Sequence, residues 1–265
     1  MNENESTLDI DSITESLSSL VINKKLNFSL IDIQNIIKIQ KWFRGYILRK
    51  KRLPLMMYKI QKYLQLKNLI LTNQNEDGRI NSSIDEEYII NIIIEKFGEK
   101  IRKPKIRMWF DILAFDTLYG WIPINIKTST IKTSDNTGNL AMCVYAYTDE
   151  LLNIHNEKTY ENGKMSEILI KKLKEKKYNK IDKKDYYFLI INKLNSKEII
   201  INSVKGLTIL TPNINNLPFQ VNWSKNKEYI YKNIKNNIKL FLECLHNSKR
   251  SWREIFIEKI KEIKL

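Results

Sequence analysis

The chain has 265 residues, is 43% hydrophobic, and carries 45 Lys and Arg against 30 Asp and Glu, a formal net charge of +15. That is apolar material enough for a buried core, while 7 Gly and 5 Pro exclude a collagen-like or low-complexity chain, and the lack of an 18-residue apolar run argues against a membrane span. Two cysteines, Cys143 and Cys244, make no disulfide framework or zinc site, and the acidic start "MNENESTLDIDSITES" lacks the pattern of a secretory signal, so an intracellular protein is expected. The positive charge favours polyanions, because phosphate contacts release condensed counterions. Its Lys, Asn and Ile richness also fits AT-rich codon usage with no function attached.

Residues 1–28 read as a flexible acidic tail, with five acids and no base among the first 23. Residues 29–66 read as a helical extension in which Ile36, Ile39, Phe43, Ile47 and Leu48 recur at helical spacing, and Pro54 breaks or kinks it. Within it "IQKWFRGYILRKK" fits IQxxxRGxxxR at Ile39, Gln40, Arg44, Gly45 and Arg49. This resembles the IQ motif, which implies a calmodulin-like partner at Ile39–Arg49 that clasps Ile39, Trp42 and Phe43. The same aromatic face could instead pack on the rest of the chain or in a dimer, and its basic face could lie on DNA.

Residues 67–265 read as one further domain. After the polar loop "TNQNEDGRINSS", a helix is expected over Asp85–Arg102 with the stripe Ile89, Ile90, Ile93, Ile94 and Phe97. Strands follow at Arg107–Phe115 and Trp121–Thr128, joined by the turn "DTLYG". A helix starts near Ser134 or Asp135 and runs through "NLAMCVYAYTDELL"; Lys171–Lys184 is a basic run. "DYYFLIINK" and "KEIIINSV" read as strands, and "TPNINNLPFQVNW" as a loop. Ile234, Ile238, Phe241, Leu242 and Leu245 form one face of a C-terminal helix, and Ser251 with Glu254 makes a capping box for a last one. The order predicts an α/β (α+β) fold around one mixed sheet.

One residue in this pattern is out of place. Alternation puts Asn125 and Lys127 on one strand face and Ile122, Ile124 and Ile126 on the other. A hairpin brings Asp111 beside that polar face, and Glu86, one turn before Ile89 and Ile90, leans toward the packed side of its helix. Two carboxylates and a lysine are what a metal-dependent phosphodiesterase needs: oxygen ligands for Mg²⁺ and a fixed cation to orient the attacking water. The plainer alternatives are an Asp–Lys ion pair and, for Glu86, a first-turn acid favoured by the helix dipole. No phosphate-binding glycine loop is present, and His155 and His246 are isolated.

"FDILAFDTLYGWIPINIK" resembles the core motif of PD-(D/E)xK nucleases, read as Asp111 followed by Asn125-Ile126-Lys127. "GRINSSIDEEYIINII", "DYYFLIINK" and "TPNINNLPFQVNW" resemble segments of type II restriction endonucleases, including some from large DNA viruses; the likeness spans about residues 76–225. It implies a restriction-endonuclease-like core, Mg²⁺ held by Asp111, Glu86 and Asn125 (Glu87 as fallback for Glu86), water orientation by Lys127, double-stranded DNA as substrate, and a homodimer. Asn125 departs from the family's usual Asp or Glu and removes one negative charge, which leaves a noncatalytic DNA-binding protein as the competing reading; Asp116 lies on the wrong face to replace it without a bulge. Ser129, Thr130, Lys132 and Asn136 fall just past the motif strand, where a DNA backbone would pass, although Ser134 or Asp135 there also reads as a helix cap. Asn216, Gln220 and Asn222 are candidates for base recognition, since amides pair with adenine edges.

Overall fold

The computed structural model describes residues 31–40, 53–72, 78–105, 108–155, 160–181, 183–213, 218–247 and 254–263. The acidic tail, residues 41–52 of the IQ-like segment, Asn216 and Ser251 lie outside them. The chain divides into two units, residues 1–45 and 46–265. In the first, residues 31–40 are helical, and Ile31, Ile33, Ile36, Ile37 and Ile39 are exposed.

The second unit is α+β, built on a mixed five-stranded sheet in the order β1-β2-β3-β5-β6. Its strands are β1 (Ile101–Arg102), β2 (Ile112–Asp116), β3 (Gly120–Ser129), β5 (Tyr187–Asn192) and β6 (Asn195–Ser203); β4 (Ser134–Asn136) and β7 (Gln220–Asn222) form a separate antiparallel ribbon. The β2–β3 hairpin is set by Asp116, whose carboxylate accepts from the N–H groups of Leu118 and Tyr119 in the turn and of Met56 at a helix start. Gly120 closes that turn at φ +75°, a conformation open to glycine at little cost. Asp116 is thereby committed to structure. All neighbours in the sheet run antiparallel except β3 and β5, whose parallel pairing requires a long crossover.

Two apolar layers clamp the sheet. On one side α1 (Leu55–Leu66) and α2 (Gly78–Phe97) bury Met57, Ile60, Leu64, Ile89 and Ile93 against Ile122, Ile124, Ile126, Leu189 and Ile201. On the other, α3 (Leu140–Tyr147), α4 (Asn162–Lys174), α5 (Ile234–His246) and α6 (Glu254–Lys261) gather around Phe188, Ile190, Leu113 and Trp223. β5 is buried on both faces, as its unbroken apolar run requires. All eight residues of α3 are buried, which explains why it shows no polar face. α1, which the sequence assigns to the N-terminal extension, packs on β6 and β2 as part of this core.

Several expected boundaries move. The helix expected over Asp85–Arg102 starts at Gly78 and ends at Phe97, because Arg102 belongs to β1. The strand expected from Arg107 begins at Ile112. No helix starts at Ser134 or Asp135: these residues pair with Asn222 and Val221 in the β4–β7 ribbon, and the cap of α3 is Asn139, whose side chain accepts from the Met142 N–H (2.7 Å). The first part of the basic run is the last turn of α4, and Lys184 at its end is buried rather than solvated, its ammonium donating to the carbonyls of Thr148 (2.7 Å) and Glu150 (2.5 Å).

Candidate active site

β2 stops pairing with β3 at Ile124, yet β3 runs on to Ser129. The β2-side edge of β3 is therefore left with N–H groups that no neighbouring strand accepts. Two carboxylates take them: Asp111 accepts from Ile126 N–H (2.7 Å), and Glu86 from Thr128 N–H. Asp111 sits one step before β2, where its own N–H donates to the Ile124 carbonyl (3.0 Å). Its other side is fixed by Trp109, whose carbonyl accepts from Asn139 Nδ2 (3.1 Å) and the Tyr186 hydroxyl (2.7 Å) and whose ring stacks on Tyr186. Glu86 stands well inside α2, on the stripe that continues into Ile89, Ile90 and Ile93, so the first-turn dipole reading is excluded.

Asn125 stands opposite Asp111 and donates its Nδ2 to Asp111 Oδ2 (2.9 Å). That bond fixes the amide's orientation and leaves Oδ1 buried without a hydrogen-bond partner. The positive charge of Lys127 acts on Asp111, on Glu86 and on a third carboxylate, Asp135. Burial, aided by the negative charge of Asp111 and opposed by Lys127, Thr128 N–H and Lys193, raises the Glu86 carboxyl to about 7. Burial likewise raises Asp111 above its ordinary value, against the pull of Ile126 N–H and Lys127. Two acids that resist ionising together make a place where added positive charge is favourable.

Glu86, Asp111 and Asn125 line a cleft of about 730 Å³ together with Glu87, Lys103, Trp109, Asn139 and Tyr160. Lys127 is not part of that lining and acts on the cleft through its charge. Glu87 lines the same cleft, where it is exposed and ion-paired with Lys103. Among the described residues no three His, Cys, Asp or Glu side chains are grouped closely enough to hold a metal ion by themselves. A cation here would rest on Glu86, Asp111 and non-carboxylate oxygens.

Asp135 and Lys193 are the members the sequence did not point to. After β3 the chain turns at Ile131, which takes φ +55°, a strained value for a β-branched residue, with its N–H on Ser129 Oγ (3.0 Å). This reversal brings β4 back and sets Asp135 near Lys127. Burial raises Asp135; the side chains of Ser129 and Trp223 and the charges of Lys127 and Lys193 oppose that shift, yet Oδ2 makes no hydrogen bond.

The remaining candidates lie on either side of this reversal, Ser129 and Thr130 before it and Lys132, Asn136, Gln220 and Asn222 beyond it. Ser129 is buried, Thr130 bonds Thr133 (3.2 Å), and Lys132 is exposed. Asn136 Oδ1 accepts from both Asn213 Nδ2 (2.7 Å) and Gln220 Nε2 (2.9 Å), and Asn222 Nδ2 donates to the Lys132 carbonyl (2.9 Å). These amides knit the β4–β7 ribbon together. Asn136, Gln220 and Asn222 thus have a structural occupation whatever else they do.

Residues 33–51 match the family model of the IQ calmodulin-binding motif. No curated protein and no solved structure matches the chain. Among the described residues, no helix is long and apolar enough to cross a membrane.

Proposed function

We propose that the chain is a Mg²⁺-dependent DNA endonuclease with a restriction-endonuclease-like core, hydrolysing phosphodiester bonds in double-stranded DNA. The observation that carries the reading is the free edge of β3, where Glu86 and Asp111 converge under the charge of Lys127. The donor set fits Mg²⁺, which is commonly held by one or two carboxylates and completes its shell with water and substrate phosphate oxygens. The orphaned Asn125 Oδ1 beside the pair supports the same fit. When bound, Mg²⁺ would polarise the scissile phosphate and acidify its water.

The chain's own residues do the rest. Asn125 and Ile126 N–H hold the Asp111 carboxylate in one orientation, and Thr128 N–H does the same for Glu86. Lys127, on the same strand, supplies a fixed positive charge for the attacking water and the developing phosphorane charge. Exposed Lys132, just past the strand, contacts the DNA backbone, and the net charge of +15 strengthens nonspecific association. Cutting both strands at one locus uses two copies related by a twofold axis.

A plasmid-nicking assay tests this. Mg²⁺ supports cleavage, EDTA abolishes it, and Lys127→Ala lowers the rate on the order of 10²-fold or more. Cleavage that persists undiminished in the variant removes Lys127 from the reaction. DNA binding that is metal-independent, steeply salt-dependent and never followed by cutting instead supports a noncatalytic DNA-binding protein.

A second reading rests on the match at residues 33–51: this segment binds a calmodulin-like protein. The described part of it is helical and presents Ile36, Ile37 and Ile39. Titrating the full chain into calmodulin with and without Ca²⁺ tests it; the Ile39→Glu variant should lose binding while cleavage is retained.

A further inference from the structure

The tight turn between β5 and β6 carries Lys193, the last residue of "DYYFLIINK", to which the sequence assigns no chemical role. β5 runs parallel to β3 in a register that sets Asn192 beside Ser129, so the chain leaves β5 where the Lys127 strand ends. Asn192 Oδ1 accepts from Leu194 N–H (3.0 Å) and shapes the turn, while Lys193 N–H donates to the Ser129 carbonyl (2.9 Å). The backbone of the turn is thus tied to the end of β3. Its ammonium reaches the other way, to α2, and donates to Ser82 Oγ (2.8 Å).

Ser82 lies four residues before Glu86, one turn away on the same face of α2. Lys193 therefore spans from the end of β3 to the turn of α2 adjoining the one that carries Glu86. What brings Glu86 onto the Thr128 N–H is the spacing between α2 and this free edge. Apolar packing fixes that spacing at Ile89 and Ile93, further along the helix. Nearer the N-terminus of α2, where the outward positions carry exposed Ile80 and Ile84, the Lys193–Ser82 bond is a directional link to the sheet. The charge of Lys193 also acts on both Glu86 and Asp135, as that of Lys127 does.

We propose that Lys193 is a positioning residue of the site: by clamping Ser82 of α2 to the end of β3, it holds the Glu86 carboxylate against the strand edge beside Asp111. The proposal rests on the endonuclease reading above. It assigns Lys193 a role in geometry, distinct from the water-orienting role of Lys127 and from the backbone contact of Lys132.

Steady-state Mg²⁺-dependent cleavage of a defined duplex by the full chain, for wild type, Lys127→Ala, Lys193→Ala, Lys193→Arg and Ser82→Ala, tests it. Lys193→Ala is expected to lower kcat about 10- to 100-fold with KM for DNA and its salt dependence unchanged, since misplacement of a reacting group by an ångström costs on that order. Ser82→Ala, which removes the anchor but no charge, should lower kcat in the same direction, and Lys193→Arg, which keeps charge and reach, should restore most of it. A rise in KM with kcat unchanged overturns the proposal in favour of a direct phosphate contact, and wild-type kcat in Ser82→Ala overturns the clamp. Failure of wild type to cleave any duplex refutes the endonuclease reading and this proposal with it. Cleavage by wild type, lost in Lys127→Ala but intact in Lys193→Ala, refutes this one alone.

Discussion

Replacing Glu86 by Gln should stabilise the metal-free protein at alkaline pH. The carboxyl is raised from its ordinary 4.5 to about 7, chiefly by burial, with the charge of Asp111 adding to it. Between those values the unfolded chain releases the proton while the folded one retains it, so stability falls as pH rises. Below 4.5 the contribution is complete; above 7 it is lost. Each tenfold change in proton affinity is worth about 1.4 kcal/mol, which makes the whole loss roughly 3 kcal/mol. Glutamine is nearly isosteric, carries no charge, and can still accept from Thr128 N–H. Urea unfolding in EDTA at pH 4.5 and pH 8 measures the effect: variant and wild type should be close at the acid end, with the variant about 2–3 kcal/mol more stable at pH 8. Equal stability at both pH values, or a less stable variant at pH 8, would falsify the picture of a carboxylate held against its own ionisation.

If that strain is relieved by a cation, Mg²⁺ in hundredfold excess over its dissociation constant should raise wild-type stability at pH 8 by about 2.7 kcal/mol, and Asp111→Ala should abolish the gain in a thermal melt. Gly206→Ala should cost about 2–3 kcal/mol in urea unfolding, because a Cβ there collides with the Tyr229 ring and Asn202 Oδ1, and Asn202 is itself fixed by bonds to the Asn226 and Glu228 carbonyls. Lys184→Ala should cost about 2 kcal/mol at neutral pH, since the Thr148 and Glu150 carbonyls each lose a charged donor; an unchanged denaturation midpoint would show that water replaces it freely. Phe188→Ala, at a fully buried position in the interior strand β5, should cost about 3–5 kcal/mol by the same measurement.

What the sequence determined by itself is local. Alternation in "GWIPINIKTS" set Asn125 and Lys127 apart from Ile122, Ile124 and Ile126, and the structure divides them the same way between the two faces of β3. The short turn implied a hairpin, and the hairpin register does bring Asp111 against Asn125. The apolar runs of β5 and β6 and the stripe of α5 were equally plain, as was the IQ pattern that the family match shares. Each of these signals resides within some twenty residues, the range over which side-chain period reports backbone conformation.

Where β2 begins, at Ile112 opposite Ile124, was settled by packing between distant segments. That one end point leaves the edge of β3 open, and the open edge is what gives Asp111 and Glu86 their backbone donors and brings α2 to them. Asp135 read as a helix cap because "TSDNTGNL" has cap residues throughout; pairing with β7, some eighty residues away, made it a strand beside Lys127. Lys193 closed the strand-like "DYYFLIINK" with nothing local to mark it as a site residue, and its place depends on the parallel register of β3 with β5. Such placements follow from hydrogen-bond pairing between distant segments, and the number of competing registers is too large for a single segment's pattern to choose among them.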